Sequence, residues 1–178
     1  MSALSTISSS RIHPAHSDYA ATLAWPFPTE PFYVAQVLDL LRGDLPERVL
    51  FNSYCFVWLY RDSAGTPVGF GSLDVCDEYM EFADGRSHCY LPVLAVHPEH
   101  KGKGYGKQII EHLVSESVLF HESPHDLSDL LLLDVYRANT PAIGLYAKCG
   151  FEILNADNPM VDAKQNNEPF VVMARKLA

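Results

Sequence analysis

The sequence predicts an α/β fold of the α+β kind, carried by one domain. Three observations predict it. The chain has 178 residues, of which 48% are apolar and 20% charged, the balance of a globular domain of ordinary size. Residues 54–75 read as two β-rich runs around a turn, a hairpin. Residues 90–120 run from a continuous apolar segment through a glycine-rich turn into a helical pattern.

Residues 1–10 (MSALSTISSS) have neither the basic start nor the apolar centre of a signal peptide and are expected as a frayed end. Arg11 to His16 is a candidate first strand. Pro26 and Pro28 hold their neighbours extended, and Thr29 can cap a helix with Pro31 in its first turn. That helix carries Phe32, Val34, Ala35, Val37, Leu38 and Leu41 and ends at Gly43. Tyr54 to Tyr60 is aromatic and β-branched, Asp62 to Thr66 is a turn, and Val68 to Val75 returns as the partner strand. Asp77, Glu78, Glu81 and Asp84 form an acidic connection before His88. Leu91 to Val96 is an apolar strand, although Pro92 inside it lacks a ladder donor, so a bulge is expected there. Ile109, Ile110, Leu113, Val114 and Val118 recur at helical spacing. Phe151 to Leu154 reads as a strand, Asn155 to Asn167 as a polar loop, and Phe170 to Lys176 as the last strand.

Composition narrows the function classes. The net charge of −9 argues against a nucleic-acid partner, because phosphate binding needs a basic surface, and it suits a cationic amine. No apolar run approaches the ~20 residues of a membrane span. Cys55, Cys76, Cys89 and Cys149 are scattered and form no C-x-x-C, which fits reduced core cysteines and a cytoplasmic location. His121-Glu-Ser-Pro-His125 spells H-E-x-x-H, but a zinc site on that pattern needs both histidines on one continuous helix, and Pro124 interrupts it; no metal is expected.

The turn Lys101-Gly-Lys-Gly-Tyr-Gly-Lys107 is the richest chemical signal. A glycine turn leading into a helix start presents backbone N–H groups at the positive end of the helix dipole, which is an anion site. Gly102, Gly104 and Gly106 let a phosphate approach the backbone, and Lys101, Lys103 and Lys107 add charge. A Walker loop, G-x-x-x-x-G-K-S/T, fails because Lys101 stands at its first glycine and Gln108 follows Lys107. The dinucleotide pattern G-x-G-x-x-G fails too, with Lys107 or Ile109 at the last glycine.

Lys101-Gly-Lys-Gly104-Tyr-Gly106 resembles the R/Q-x-x-G-x-G/A signature of the GNAT superfamily of N-acetyltransferases, with Lys101 where the family usually has Arg or Gln. The lead-in Leu94-Ala-Val96-His-Pro98 also resembles that family's L-x-V-x-P. Residues 131–151, LLLDVYRANTPAIGLYAKCGF, are similar to its second signature, with Asn139, Ala142, Tyr146, Gly150 and Phe151 on the motif positions. The resemblance covers most of the chain and is weakest over the first fifty residues.

The resemblance implies a mixed, mostly antiparallel sheet of six to seven strands flanked by helices, its fourth and fifth strands splayed around the arm of the cofactor. It implies acetyl transfer from acetyl-CoA to a primary amine of a small molecule or peptide. The cofactor-binding residues it implies are Leu94, Val96, Lys101, Gly102, Lys103, Gly104, Tyr105, Gly106, Lys107, Asn139, Ala142 and Tyr146. Tyr146 stands at the family's general-acid position, and Tyr90 and Asp134 at base-side positions, acting directly or through water. Trp25, Phe27, Phe32 and Tyr33 are acceptor-pocket candidates beside a reading as ordinary core. The acidic run Asp74 to Asp84 is a candidate amine-attracting rim beside a reading as a solvated loop. A non-catalytic acyl-CoA-binding or regulatory module, and a transferase of longer acyl groups, remain the alternatives. A monomer or homodimer is expected.

Overall fold

Strand pairing follows the β-branched and aromatic runs. The computed structural model describes residues 6–11, 56–121, 126–163 and 167–177. The expected helix at 29–43, the acceptor candidates Trp25, Phe27, Phe32 and Tyr33, and Cys55 lie outside these. The chain groups into two compact units, Met1–Asp74 with Pro92–Ile109, and Val75–Leu91 with Ile110–Ala178.

In the first unit β1 (Ser8–Arg11) pairs antiparallel with β2 (Phe56–Arg61), and β2 with β3 (Pro67–Cys76). The first strand thus starts at Ser8, within the stretch expected to fray and ahead of the expected Arg11 to His16. Three serines carry little strand propensity; pairing against Arg61, Tyr60 and Leu59 makes them a strand, and the Arg11 guanidinium sits 3.9 Å over the Phe56 ring. The expected hairpin turn forms: Asp62 Oδ1 accepts from the N–H groups of Ala64 and Thr66, both at 2.9 Å, and Gly65 takes a left-handed φ of 80°.

Of the strand expected at Leu91 to Val96 only the last three residues form one, and a separate short strand precedes it. β4 (His88–Tyr90) runs parallel to β6 (Leu130–Tyr136), whereas β5 (Leu94–Val96) pairs antiparallel with β3. Pro92 lies at the break, where a missing N–H prevents a continuous ladder. Single bonds mark where each ladder stops, Leu91 N–H to Leu132 O and Ser72 N–H to Val93 O. Gly69 is required beside β5, because a Cβ there would lie 2.7 Å from Ala95 O and 2.6 Å from Ile109 Cδ1.

Helix α1 (Tyr105–His121) buries Tyr105, Ile109, Ile110, Leu113, Val114 and Ser117. The buried stripe takes Ser117 rather than the expected Val118, and the serine hydroxyl is satisfied by Leu113 O at 2.6 Å. α1 is described to His121, and the remainder of the H-E-x-x-H pattern, residues 122–125, lies outside the described residues.

In the second unit β9 (Glu168–Lys176) pairs antiparallel with all of β6 through its residues Phe170 to Lys176. β7 (Glu152–Ile153) and β8 (Met160–Asp162) both pair with β9. β8 falls inside the expected polar loop. Leu131, Leu132 and Leu133 are fully buried, as a strand covered on both faces requires. Nine strands are therefore described where six to seven were expected, the surplus coming from the separate β4 ahead of Pro92 and the short β8. Among the described residues no helix is long and apolar enough to cross a membrane.

Candidate active site

In the first unit β5 delivers the chain to the glycine turn. His97 Nδ1 accepts the Glu99 N–H at 3.2 Å, which starts a 3-10 turn over Pro98–His100. Gly102 and Gly104 then take left-handed φ values of 77° and 85°, which side-chain-bearing residues resist. A Cβ on Gly102 would meet nothing within 4 Å, so the conformation rather than crowding selects glycine there. Lys101, Lys103 and Lys107 are exposed, whereas Tyr105 is buried and anchors the turn, its ring 6.0 Å from that of His100. Lys103 Nζ lies 3.4 Å from His100 Nδ1. Gly106 is in the first turn of α1, and the Gln108 side chain accepts the Ile7 N–H at 3.3 Å. An open basic turn with left-handed glycines and a helix start is a shape that accepts a phosphate. Leu94 and Val96, half-buried on β5, stand opposite Gly71 and Gly69.

In the second unit the strand register gathers Tyr90, Leu132, Asp134, Phe170, Val172 and Ala174 on one face. Tyr90 pairs with Leu132 across the parallel ladder, Asp134 is two residues further along the same strand, and Val172 stands opposite Asp134. Tyr90, Leu132, Phe170, Val172 and Ala174 form one buried cluster. The Tyr90 hydroxyl donates to Asp134 Oδ1. Burial, followed by the Asp134 charge, pushes the Tyr90 phenol well up. Burial also raises the Asp134 carboxyl, with Glu78 and Asp162 adding to it, while the Tyr90 donation works the other way. Tyr79, in a left-handed conformation at φ 62°, sets its ring 6.0 Å from that of Tyr90.

Helix α2 (Thr140–Lys148) explains the second motif physically. Asn139 caps it, its Oδ1 accepting the Ala142 N–H at 3.3 Å. Gly150, at φ 83°, ends it: Phe151 N–H bonds Tyr146 O at 3.1 Å and Gly150 N–H bonds Ala147 O at 3.0 Å. That is a Schellman stop, and its apolar contact is the Tyr146 ring on Phe151, 5.8 Å between centroids. The Gly-Phe pair thus pins the backbone and ring of Tyr146. Burial, then the Asp134 charge, raises the Tyr146 phenol above its ordinary value, so it holds its proton.

The structure brings Tyr90 and Asp134 together and anchors Asn139, Ala142 and Tyr146 on one helix; the Lys101–Lys107 turn and the Leu94–Val96 strand belong to the other unit. Sequence reasoning missed Tyr136, whose hydroxyl donates to Asp162 Oδ2 at 2.7 Å beside the Tyr90 cluster. Residue 162 lay in an assumed loop, so no sequence signal pointed to it. Burial pushes the Cys89 thiol up to about 12, which keeps it from acting as a nucleophile.

Residues 13–151 match the model of the acetyltransferase (GNAT) family. The chain belongs to that family. The chain is 33% identical over 104 residues to a mycothiol acetyltransferase of Propionibacterium freudenreichii, covering 58% of this chain and 30% of that protein. It is 28% identical over 121 residues to the peptidyl-lysine N-acetyltransferase YjaB of Salmonella typhimurium, covering 68% of this chain and 62% of that one. The chain therefore spans less than two thirds of the length of either relative. Among solved structures, a spermidine N-acetyltransferase SpeG chimera from Vibrio cholerae and hSSAT aligns with a TM-score of 0.69 and 16% identity, over 97% of this chain and 96% of that one. The ribosomal-protein-S18-alanine N-acetyltransferase of Escherichia coli aligns with a TM-score of 0.59 and 18% identity, over 97% and 95%. At these identities the likeness is one of fold.

Proposed function

We propose that this protein transfers the acetyl group of acetyl-CoA to a primary amine of a small molecule or peptide, and that residues 1–178 form one N-acetyltransferase domain. The observation that carries the reading is the Lys101–Lys107 turn, an exposed basic loop with left-handed glycines at a helix start in a member of the GNAT family. Relatives named mycothiol acetyltransferase and peptidyl-lysine N-acetyltransferase support an acyl-transfer role.

Acetyl-CoA, when bound, supplies an activated acyl group on a thiol leaving group. The backbone of Gly102 to Lys107 receives the pyrophosphate, with Lys101, Lys103 and Lys107 neutralising it. Backbone groups of Leu94 and Val96 hold the pantetheine arm and polarise the thioester carbonyl. Asn139 and Ala142 are the second unit's cofactor-binding candidates, Asn139 through the amide end that does not cap α2. Tyr146 donates its proton to the departing thiolate; its raised pKa keeps that proton available at neutral pH.

The base side rests on the Tyr90–Asp134 pair. Tyr90 is pushed up and so donates rather than accepts, which makes Asp134 the proton acceptor and Tyr90 the group that orients it. A carboxylate raised by burial is a better base than an exposed one. The test is an acceptor screen with purified protein and acetyl-CoA, read as free CoA thiol and acetylated product. Thiol release that depends on an amine supports the transfer reading; bound CoA with no release by any amine replaces it with an acyl-CoA-binding module.

A further inference from the structure

The ladder on β9 is interrupted where β7 gives way to β8. Ile153 stands opposite Met173 and Met160 opposite Phe170, so seven steps of chain run against three and four residues arch away. Asn155 stands in for the missing strand, its Oδ1 accepting the Val172 N–H at 2.8 Å, and Leu154 N–H bonds Val172 O at 2.9 Å. The arch walls an open groove of about 560 Å³, within the ~300–1,000 Å³ of ligand sites.

The lining has a definite chemistry. Glu81 and Asp157 are exposed carboxylates, and among the described residues no lysine or arginine lines the groove. Phe82, Ile153, Leu154 and Met160 give it apolar walls, Ile153 and Leu154 each 39% exposed. The covered Nδ2 of Asn155 has no hydrogen-bond partner among the described residues, a donor lacking an acceptor. Phe82 and Met160 also pack on the cluster that holds Tyr90, so the groove shares its floor with the face of the Tyr90–Asp134 bond.

We propose that this groove seats a basic peptide segment, the residues that flank the acetylated amine in the acceptor. The proposal rests on the amine-transfer reading above. Lysine and arginine side chains match the lining, with methylene stems for the apolar walls and a charge for Glu81 and Asp157.

The test uses the full chain saturated with CoA and fluorescein-labelled peptides holding one lysine between basic or between acidic neighbours, read by anisotropy. Wild type is expected to bind the basic peptide about tenfold more tightly. The Glu81→Gln, Asp157→Asn double variant, changed only at exposed side chains, should lose about 3–10-fold of that preference. In a parallel thiol-release assay it should raise KM for the basic peptide and keep kcat. Ile153→Ser should weaken both peptides several-fold, a loss that charge alone would not produce. Equal binding of both peptides by wild type, an unchanged preference in the double variant, or spermidine displacing the peptide at concentrations below the peptide's own Kd overturns the proposal. The two readings fail separately. Charge-dependent peptide binding without thiol release for any amine keeps the groove and removes the transfer reading, whereas thiol release without a basic preference removes the groove.

Discussion

Replacing Gly69 with alanine tests how the strand that leads to the basic turn is held. Gly69 stands opposite Val96, and an added Cβ would lie 2.7 Å from Ala95 O and 2.6 Å from Ile109 Cδ1. The Ile109 methyl is the end of a flexible side chain, but it is fully buried, and the Ala95 oxygen is backbone within a paired strand. Overpacking of this kind costs about 1–3 kcal/mol, and a backbone conflict belongs in the upper part of that range. The alanine also restricts the unfolded chain, which returns about 0.4–1 kcal/mol. The net loss is roughly 1–2.5 kcal/mol, or a Tm lower by about 2–10 °C for a chain of this size. Gly144→Ala is the control: in the middle of α2, with nothing within 4 Å of the added methyl, it should gain about 0.5–1 kcal/mol. Thermal unfolding of both variants by circular dichroism measures the contrast. A Gly69→Ala protein as stable as wild type would refute the close approach of Ala95 and, with it, the account of how β5 is fixed.

Gly104→Val places a β-branched residue at φ 85° in the turn; CoA affinity by calorimetry should fall at least tenfold while the protein stays folded, and unchanged affinity would remove the turn from the site. Tyr146→Phe keeps the ring on Phe151 and deletes the proton, so kcat should drop ~10²–10⁴-fold with CoA affinity intact, and full turnover would exclude Tyr146 as the acid. Asp134→Asn should cost activity and change the pH dependence of stability. The folded Asp134 carboxyl titrates above its unfolded value, so the stability it contributes is complete below the unfolded pKa and is lost as pH rises through the folded one. The Tm of the asparagine variant relative to wild type should therefore rise from acidic to neutral pH, and a difference independent of pH would contradict the buried carboxylate.

Local signals were the legible ones. The Lys101–Lys107 turn and α1 were readable because glycines, lysines and a helical period act within a few residues of one another. The helix stop at Gly150-Phe151 was readable as a motif, though its reason, the Schellman bonds onto Tyr146, needed coordinates. Pro92 announced a conflict inside an apolar strand without revealing that the pairing with β6 stops there and that β5 pairs with β3 alone. Features made by long-range register stayed hidden. β1 is three serines and an arginine made into a strand by pairing with β2, β8 is a short strand in a polar stretch, and the Tyr136–Asp162 bond exists only because β8 and β6 both pair with β9. The groove beside Asn155 is likewise a consequence of two registers on one strand, which no window of sequence contains.

The central claim is acetyl transfer to an amine, and product stoichiometry tests it most directly. Purified protein is incubated with acetyl-CoA and a panel of small and peptide-borne primary amines, and free thiol and acetylated amine are quantified together. The account predicts one acetylated amine for each thiol released, with both lost in parallel in Tyr146→Phe. Tight CoA binding with no amine-dependent thiol from any member of the panel would contradict it.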